Sequence, residues 1–94
     1  MQPPGSGSQH VKTIMLVDDS ATVLLSISGI LAKAGFQVVT ASSAEDGQKK
    51  LAAGTKPDLL ITDLNMPGMN GIEFIKQVRQ RAELRFMPIL FLTT

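Results

Sequence analysis

The chain predicts an α/β domain: a doubly wound parallel sheet in strand order 2-1-3-4, with helices on both faces. Three observations carry this. Short runs rich in Val, Ile and Leu alternate with stretches of helical periodicity as βαβαβαβ, the pattern of right-handed crossovers between parallel strands. The first, third and fourth runs are continuously apolar rather than alternating, as in strands buried on both faces. Polar residues able to do chemistry stand at the carboxyl ends of those runs, where open α/β sheets hold their ligands.

Residues 1–10 have linker composition, rich in Pro, Gly and Ser, and read as a flexible arm outside the domain of residues 11–94. His10, the only histidine, ends that arm and reads as a solvated bystander. The first strand is Thr13 to Val17, followed at once by Asp18-Asp19-Ser20. Asp19 or Ser20 caps a helix running to about Ala34, with Gly35 as its stop and Val23, Ile27, Ile30, Leu31 and Ala34 as its apolar stripe. Phe36 to Ala41 is a second strand, less apolar and so expected at an edge. Ser42 or Ser43 opens the second helix, with Glu45 or Asp46 at capping-box spacing and an end near Gly54. Pro57-Asp58 leads into the third strand, Leu59 to Thr62, which ends at Asp63. The breakers between Asn65 and Gly71 make a loop. Ile72, Phe74, Ile75 and Val78 give a third helix its apolar face, with its end expected around Ala82 to Leu84. Pro88 starts the fourth strand, Ile89 to Leu92, and the sequence continues to Thr93-Thr94.

Composition narrows the function classes. Hydrophobic residues make up 44% and charged residues 18% of 94, the balance of one small globular domain. The absence of Cys excludes disulfides, thiolate catalysis and Cys-ligated zinc. A net charge of +1, with no Trp or Tyr, argues for neither nucleic acid nor a membrane surface as partner. No apolar run approaches the ~20 residues of a membrane span, and no secretory signal pattern stands at the start, so a cytoplasmic protein is expected.

With the second strand at an edge, strand order reverses between the first and third strands, about 4.8 Å apart. Asp18, Asp19 and Asp63 then converge on one small volume. Carboxylates so close raise one another's pKa, and a hard divalent cation is the simplest remedy; Mg²⁺, content with one or two carboxylates and several waters, suits the place. Asp63 has the makings of a nucleophile toward a phosphoryl group. Thr93, one strand over, is placed to donate its hydroxyl to a phosphoryl oxygen there, and the Asn65 carbonyl to complete a metal shell. Taken singly, each residue also has a plainer reading: helix caps for Asp18, Asp19 and Ser20, a turn start for Asp63, a strand-end threonine for Thr93. The joint placement, each at the correct end of its strand, favours chemistry.

Leu16-Val17-Asp18-Asp19-Ser20, the stretch Ile61-Thr62-Asp63-Leu64-Asn65-Met66-Pro67-Gly68-Met69-Asn70-Gly71 and Pro88-Ile89-Leu90-Phe91-Leu92-Thr93 resemble the response-regulator receiver domain of the chemotaxis-regulator type. The resemblance runs from about Val11 to Thr94 and implies a flavodoxin-like fold. It implies that Asp63 is the phosphoacceptor, that Asp18 and Asp19 form the acidic pocket, and that Thr93 is the switch hydroxyl. Asp19 and Asp63 would bind Mg²⁺ directly, Asp18 mainly through water, and Asn65 through its backbone carbonyl. The implied partners are a sensor histidine kinase or phosphotransfer protein, which donates the phosphoryl group, and an output protein. The family pattern continues past Thr93 with a helix, a fifth strand ending in Lys-Pro and a last helix. The sequence is therefore expected to be a receiver lacking its fifth strand and last two helices. Its open fourth-strand edge and apolar first helix are expected to invite a homodimer or an element swap.

Two other readings keep the same residues. A phosphatase of the haloacid-dehalogenase type also uses an Asp nucleophile after a parallel strand, but needs a second acid where Asn65 stands. A pseudo-receiver keeps the fold as an interaction module without phosphorylation, and would have no need of the acidic trio. A nucleotide-binding domain fits worst, since Asp-Asp-Ser replaces the glycine-rich turn.

Overall fold

The computed structural model describes residues 11–63 and 71–92. Four strands, β1 (Thr13–Val17), β2 (Gln37–Ala41), β3 (Leu59–Asp63) and β4 (Ile89–Leu92), pair in parallel in the order β2-β1-β3-β4. The expected order and the edge position of β2 are both met. Helices α1 (Ala21–Lys33), α2 (Ala44–Ala52) and α3 (Gly71–Arg79) form the crossovers.

Period-two alternation sorts the strand side chains. Met15, Val17 and Leu60 face one way and join Ala44, Leu51, Phe74 and Val78 in the main core under α2 and α3. Ile14 and Leu16, equally buried, belong to the opposite face, where α1 lies against β1 and β2. Gly47 of α2 lets the helices close on this core: a Cβ there would stand 3.0 Å from Phe74 Cζ.

The two predicted caps form. The Ser20 hydroxyl accepts from the Val23 amide at 3.3 Å and the Ser43 hydroxyl from the Asp46 amide at 3.0 Å. The reciprocal half of the second cap is displaced by one residue, because the Asp46 carboxylate accepts from Ser42 rather than Ser43. Gly35 and Gly54 follow the two helix ends with φ of 97° and 111°, the left-handed region that other side chains avoid. At the start of β3, Asp58 grips β1: its carboxylate accepts from the Thr13 amide at 2.7 Å, and its own amide donates to the Thr13 carbonyl at 2.7 Å.

Four expectations need correction. The third helix ends at Arg79, and Ala82–Leu84 form a separate 3-10 turn. The amides of Gln80 and Arg81 bond three residues back, tightening the helix end, while Arg79 reaches forward to cap the carbonyls of Leu84, Arg85 and Met87. Ile30, 67% exposed, and Ala34 are not part of the inward stripe of α1; Val23, Leu24, Ile27, Ser28 and Leu31 are its half-buried positions. Ile72 at the start of α3 is likewise 56% exposed rather than on the inward face, which Phe74 and Val78 form. The fourth strand is apolar without being buried, with Leu90 54% and Phe91 47% exposed.

Parallel strands with returning helices give the molecule two unlike ends. Every Lys and Arg belongs to the carboxyl half of a helix or to a connection leading into the amino end of a strand. At the opposite end stand Asp18, Asp19 and Asp63, with Glu45, Asp46 and Glu73 in the first turns of α2 and α3.

Candidate functional site

Register explains why the three aspartates meet. Val17 of β1 lies opposite Thr62 of β3, so the next residues, Asp18 and Asp63, leave adjacent strands side by side. One carboxylate oxygen from each of Asp18, Asp19 and Asp63 lies within 4.8 Å of the other two. The strand order reverses between β1 and β3, so the cluster occupies the switch point of the sheet.

The three are not equivalent. Asp18 is 5% exposed, Asp63 half-buried and Asp19 exposed. The Asp18 amide donates to the Ala41 carbonyl at 3.1 Å, which ties the end of β1 to β2. Its carboxylate Oδ1 accepts from the Ser20 amide at 2.8 Å, a local turn that fixes the side chain before α1 begins. Burial pushes the Asp18 carboxyl above the ordinary aspartate range; the Ser20 hydrogen bond opposes this, and the charges of Asp63 and Asp19 add to the rise. Below the cluster, the buried Thr62 hydroxyl donates to the Asp63 carbonyl at 3.1 Å and so satisfies itself at the strand exit. On the far side, Leu92 of β4 lies opposite Asp63.

Asp18, Asp19 and Asp63 are therefore brought together as the sequence predicts. Asn65 and Thr93 lie outside the described residues, as does His10. Sequence reading did not tell that Asp18 is buried and held by the Ser20 amide while Asp19 is exposed. It also missed the bracing by Thr62 and Asp58, although Pro57-Asp58 directly before an apolar run marks a strand start.

The oxygen donors fit a hard divalent cation. Three carboxylates with ligand oxygens within 4.8 Å of one another, one of them buried and reluctant to ionise, make a place where a bound cation would relieve like-charge repulsion.

The fold and the site together define a class: doubly wound parallel domains with a carboxylate pocket at the switch point. Residues 14–94 match the response regulator receiver domain family. The chain belongs to that family, the receiver domains of two-component response regulators. It is 38% identical over 81 residues to Protein PilH of Pseudomonas aeruginosa, covering 86% of this chain and 66% of that protein. It is 43% identical over 82 residues to the alkaline phosphatase synthesis transcriptional regulatory protein PhoP of Bacillus subtilis, covering 87% of this chain and 33% of that protein. The solved structure of chemotaxis response regulator CheY4 of Vibrio cholerae superposes with a TM-score of 0.85 at 39% identity, covering 90% of this chain and 70% of that one. The chain thus spans about two thirds of the length of PilH and one third of PhoP. Among the described residues, no helix is long and apolar enough to cross a membrane.

Proposed function

We propose that this receiver domain accepts a phosphoryl group on Asp63, in the cytoplasm, from the phosphohistidine of a sensor histidine kinase or phosphotransfer protein. The observation that carries this reading is the convergence of Asp18, Asp19 and Asp63 at the strand-order reversal. A carboxylate oxygen of Asp63 attacks phosphorus in line with the leaving imidazole nitrogen. The P–N bond breaks, an acyl phosphate forms, and the imidazole keeps the electron pair. Mg²⁺, when bound, neutralises charge on the phosphoryl oxygens. Asp19 and Asp63 would hold the cation directly and Asp18 mainly through water, and the Asn65 backbone carbonyl would be the remaining protein ligand. The short strand exit braced by Thr62 orients Asp63, and the Ser20 amide keeps Asp18 aimed at the pocket. The Thr93 hydroxyl senses the acyl phosphate and alters the surface that an output partner reads; slow hydrolysis resets the domain. The outer side of β4 pairs with no strand among the described residues, and with the exposed face of α1 it is the surface through which a homodimer or element swap would form.

Intact-mass measurement with acetyl phosphate, with and without Mg²⁺, tests the reading. The expected result is a Mg²⁺-dependent gain of one phosphoryl group, lost in Asp63→Asn. Persistent phosphorylation of Asp63→Asn sinks the assignment of the nucleophile.

A further inference from the structure

At the end of the sheet away from the aspartates, the connection between α3 and β4 is unusually well held. Arg79 donates through Nη1 to the carbonyls of Leu84 at 3.2 Å, Arg85 at 2.9 Å and Met87. Leu84 and Met87 are buried on either side, so Arg85 and Phe86 form a two-residue tip fixed at both ends. Phe86 is 89% exposed. A ring displayed on a hydrogen-bonded, doubly anchored backbone is preorganised in water, the condition under which an aromatic anchor contributes most to an interface. Cations belong to the same end of the sheet: the half-buried Arg81 precedes the 3-10 turn and borders a groove with Gln48, Glu73, Gln77 and Gln80, the exposed Arg85 is the neighbour of Phe86 in sequence, and Lys56 leads into β3, the strand paired with β4. Completion of a helix macrodipole accounts for the Lys residues in the last turns of α1 and α2. It does not account for these three, which lie outside the helices.

We infer that this tip docks an acidic protein segment bearing an apolar residue, with carboxylates on Arg81 and Arg85 and the apolar side chain on the Phe86 ring. Arginine and aromatic residues together are the composition of interface hot spots, and the guanidinium fork pairs with carboxylates in two-point fashion. Glu83 selects the partner class. It is exposed between Arg81 and Arg85, so a continuous anionic surface such as lipid headgroups or a phosphate backbone meets a like charge there. A polypeptide with carboxylates at intervals does not. The surface is remote from the aspartate cluster, and the inference stands without the phosphoacceptor reading.

The test is binding of a fluorescent peptide of Glu-Leu-Glu repeats, beside an oligoglutamate of equal charge, phosphatidylserine–phosphatidylcholine vesicles and a DNA duplex. The Glu-Leu-Glu peptide is expected to bind more tightly than the other three and to weaken as salt is raised. Phe86→Ser, and Arg81→Glu with Arg85→Glu, are each expected to lower its affinity about tenfold or more. Lys33→Glu, at the end of α1, is expected to leave it unchanged. Arg85 and Phe86 are exposed and Arg81 half-buried, and circular dichroism melts check that each variant stays folded; Arg85→Gln stands in for any that does not. No peptide binding, binding indifferent to the Arg81, Arg85 and Phe86 substitutions, or equal or tighter binding of vesicles or duplex overturns the inference.

Discussion

Asp18 is placed where its charge is least welcome, and that makes its ionisation a measurable part of the fold. Its folded pKa lies above the ordinary aspartate value, first through burial and then through Asp63 and Asp19. Between the unfolded and folded values the native state holds more protons than the unfolded one, so stability falls as pH rises through that window and stays reduced above it. Asn has no proton to lose. Asp18→Asn is therefore expected to raise the melting temperature of the metal-free protein near neutral pH and to give little gain below about pH 3, where both states are protonated. Melts of the two proteins in EDTA from about pH 3 to pH 8 check this; a gain equal at both ends would mean that charge is not the cause. The convergence of the three aspartates was legible because parallel pairing dictates where strand ends lie, whatever the details. Which aspartate is buried was not, since that rests on the Ser20 amide, the Ala41 carbonyl and a tertiary contact with β2. Arg79 illustrates the same limit. As a residue in a last helical turn it reads as macrodipole complement, yet it satisfies three carbonyls of a following segment. Arg79→Lys, which keeps the charge but loses the planar fork, is expected to cost about 1–3 kcal/mol by thermal or urea unfolding; a loss below a few tenths would show that water replaces the guanidinium there.

Among the elements, two helical glycines in different surroundings separate packing from propensity. A Cβ on Gly29 of α1 meets nothing within 4 Å, whereas one on Gly47 of α2 meets Phe74 Cζ at 3.0 Å and Cε1 at 3.3 Å. Gly29→Ala is expected to stabilise the protein by about 0.5–1 kcal/mol through lower backbone entropy in the unfolded chain. Gly47→Ala gains the same propensity but forces the Phe74 ring, fully buried against Met15 and Val17, off its seat; overpacking costs about 1–3 kcal/mol and wins. Urea unfolding of the two variants is expected to move the midpoint in opposite directions, and movement in one direction would show that the core yields around Phe74. Starts and stops of α1 and α2 were legible because Ser caps and left-handed glycines act locally. The end of α3 and the exposure of Ile30 were not, because the first depends on hydrogen bonds from Arg79 across the next turn. The second depends on the angle at which α1 crosses β1 and β2, which periodicity does not encode.

At the scale of the molecule, a net charge of +1 conceals a strong separation of sign along the sheet axis. Six of the eight carboxylates crowd at the end where β1 and β3 terminate, Asp58 and Glu83 being the exceptions, while the cations lie toward the amino ends of the strands. Helix macrodipoles favour this arrangement, with acids in first turns and bases in last turns, so each helix gains while the acidic end accumulates repulsion. Two agents relieve that repulsion in different ways. Monovalent salt screens it everywhere, whereas a divalent cation in the aspartate cluster binds only the folded state, because only the fold brings the three carboxylates together. At a hundredfold excess over its dissociation constant, such a cation adds about 2.7 kcal/mol of stability. For a domain of this size each kcal/mol raises the melting temperature by about 4–8 °C. Mg²⁺ is therefore expected to raise the melting temperature at neutral pH by more than NaCl of equal ionic strength. The surplus should vanish with EDTA, in Asp19→Asn, and at a pH low enough to protonate the cluster. If NaCl matched Mg²⁺ at equal ionic strength, the cluster would be a patch of charge rather than a cation site, and the stabilisation would belong to the acidic end as a whole.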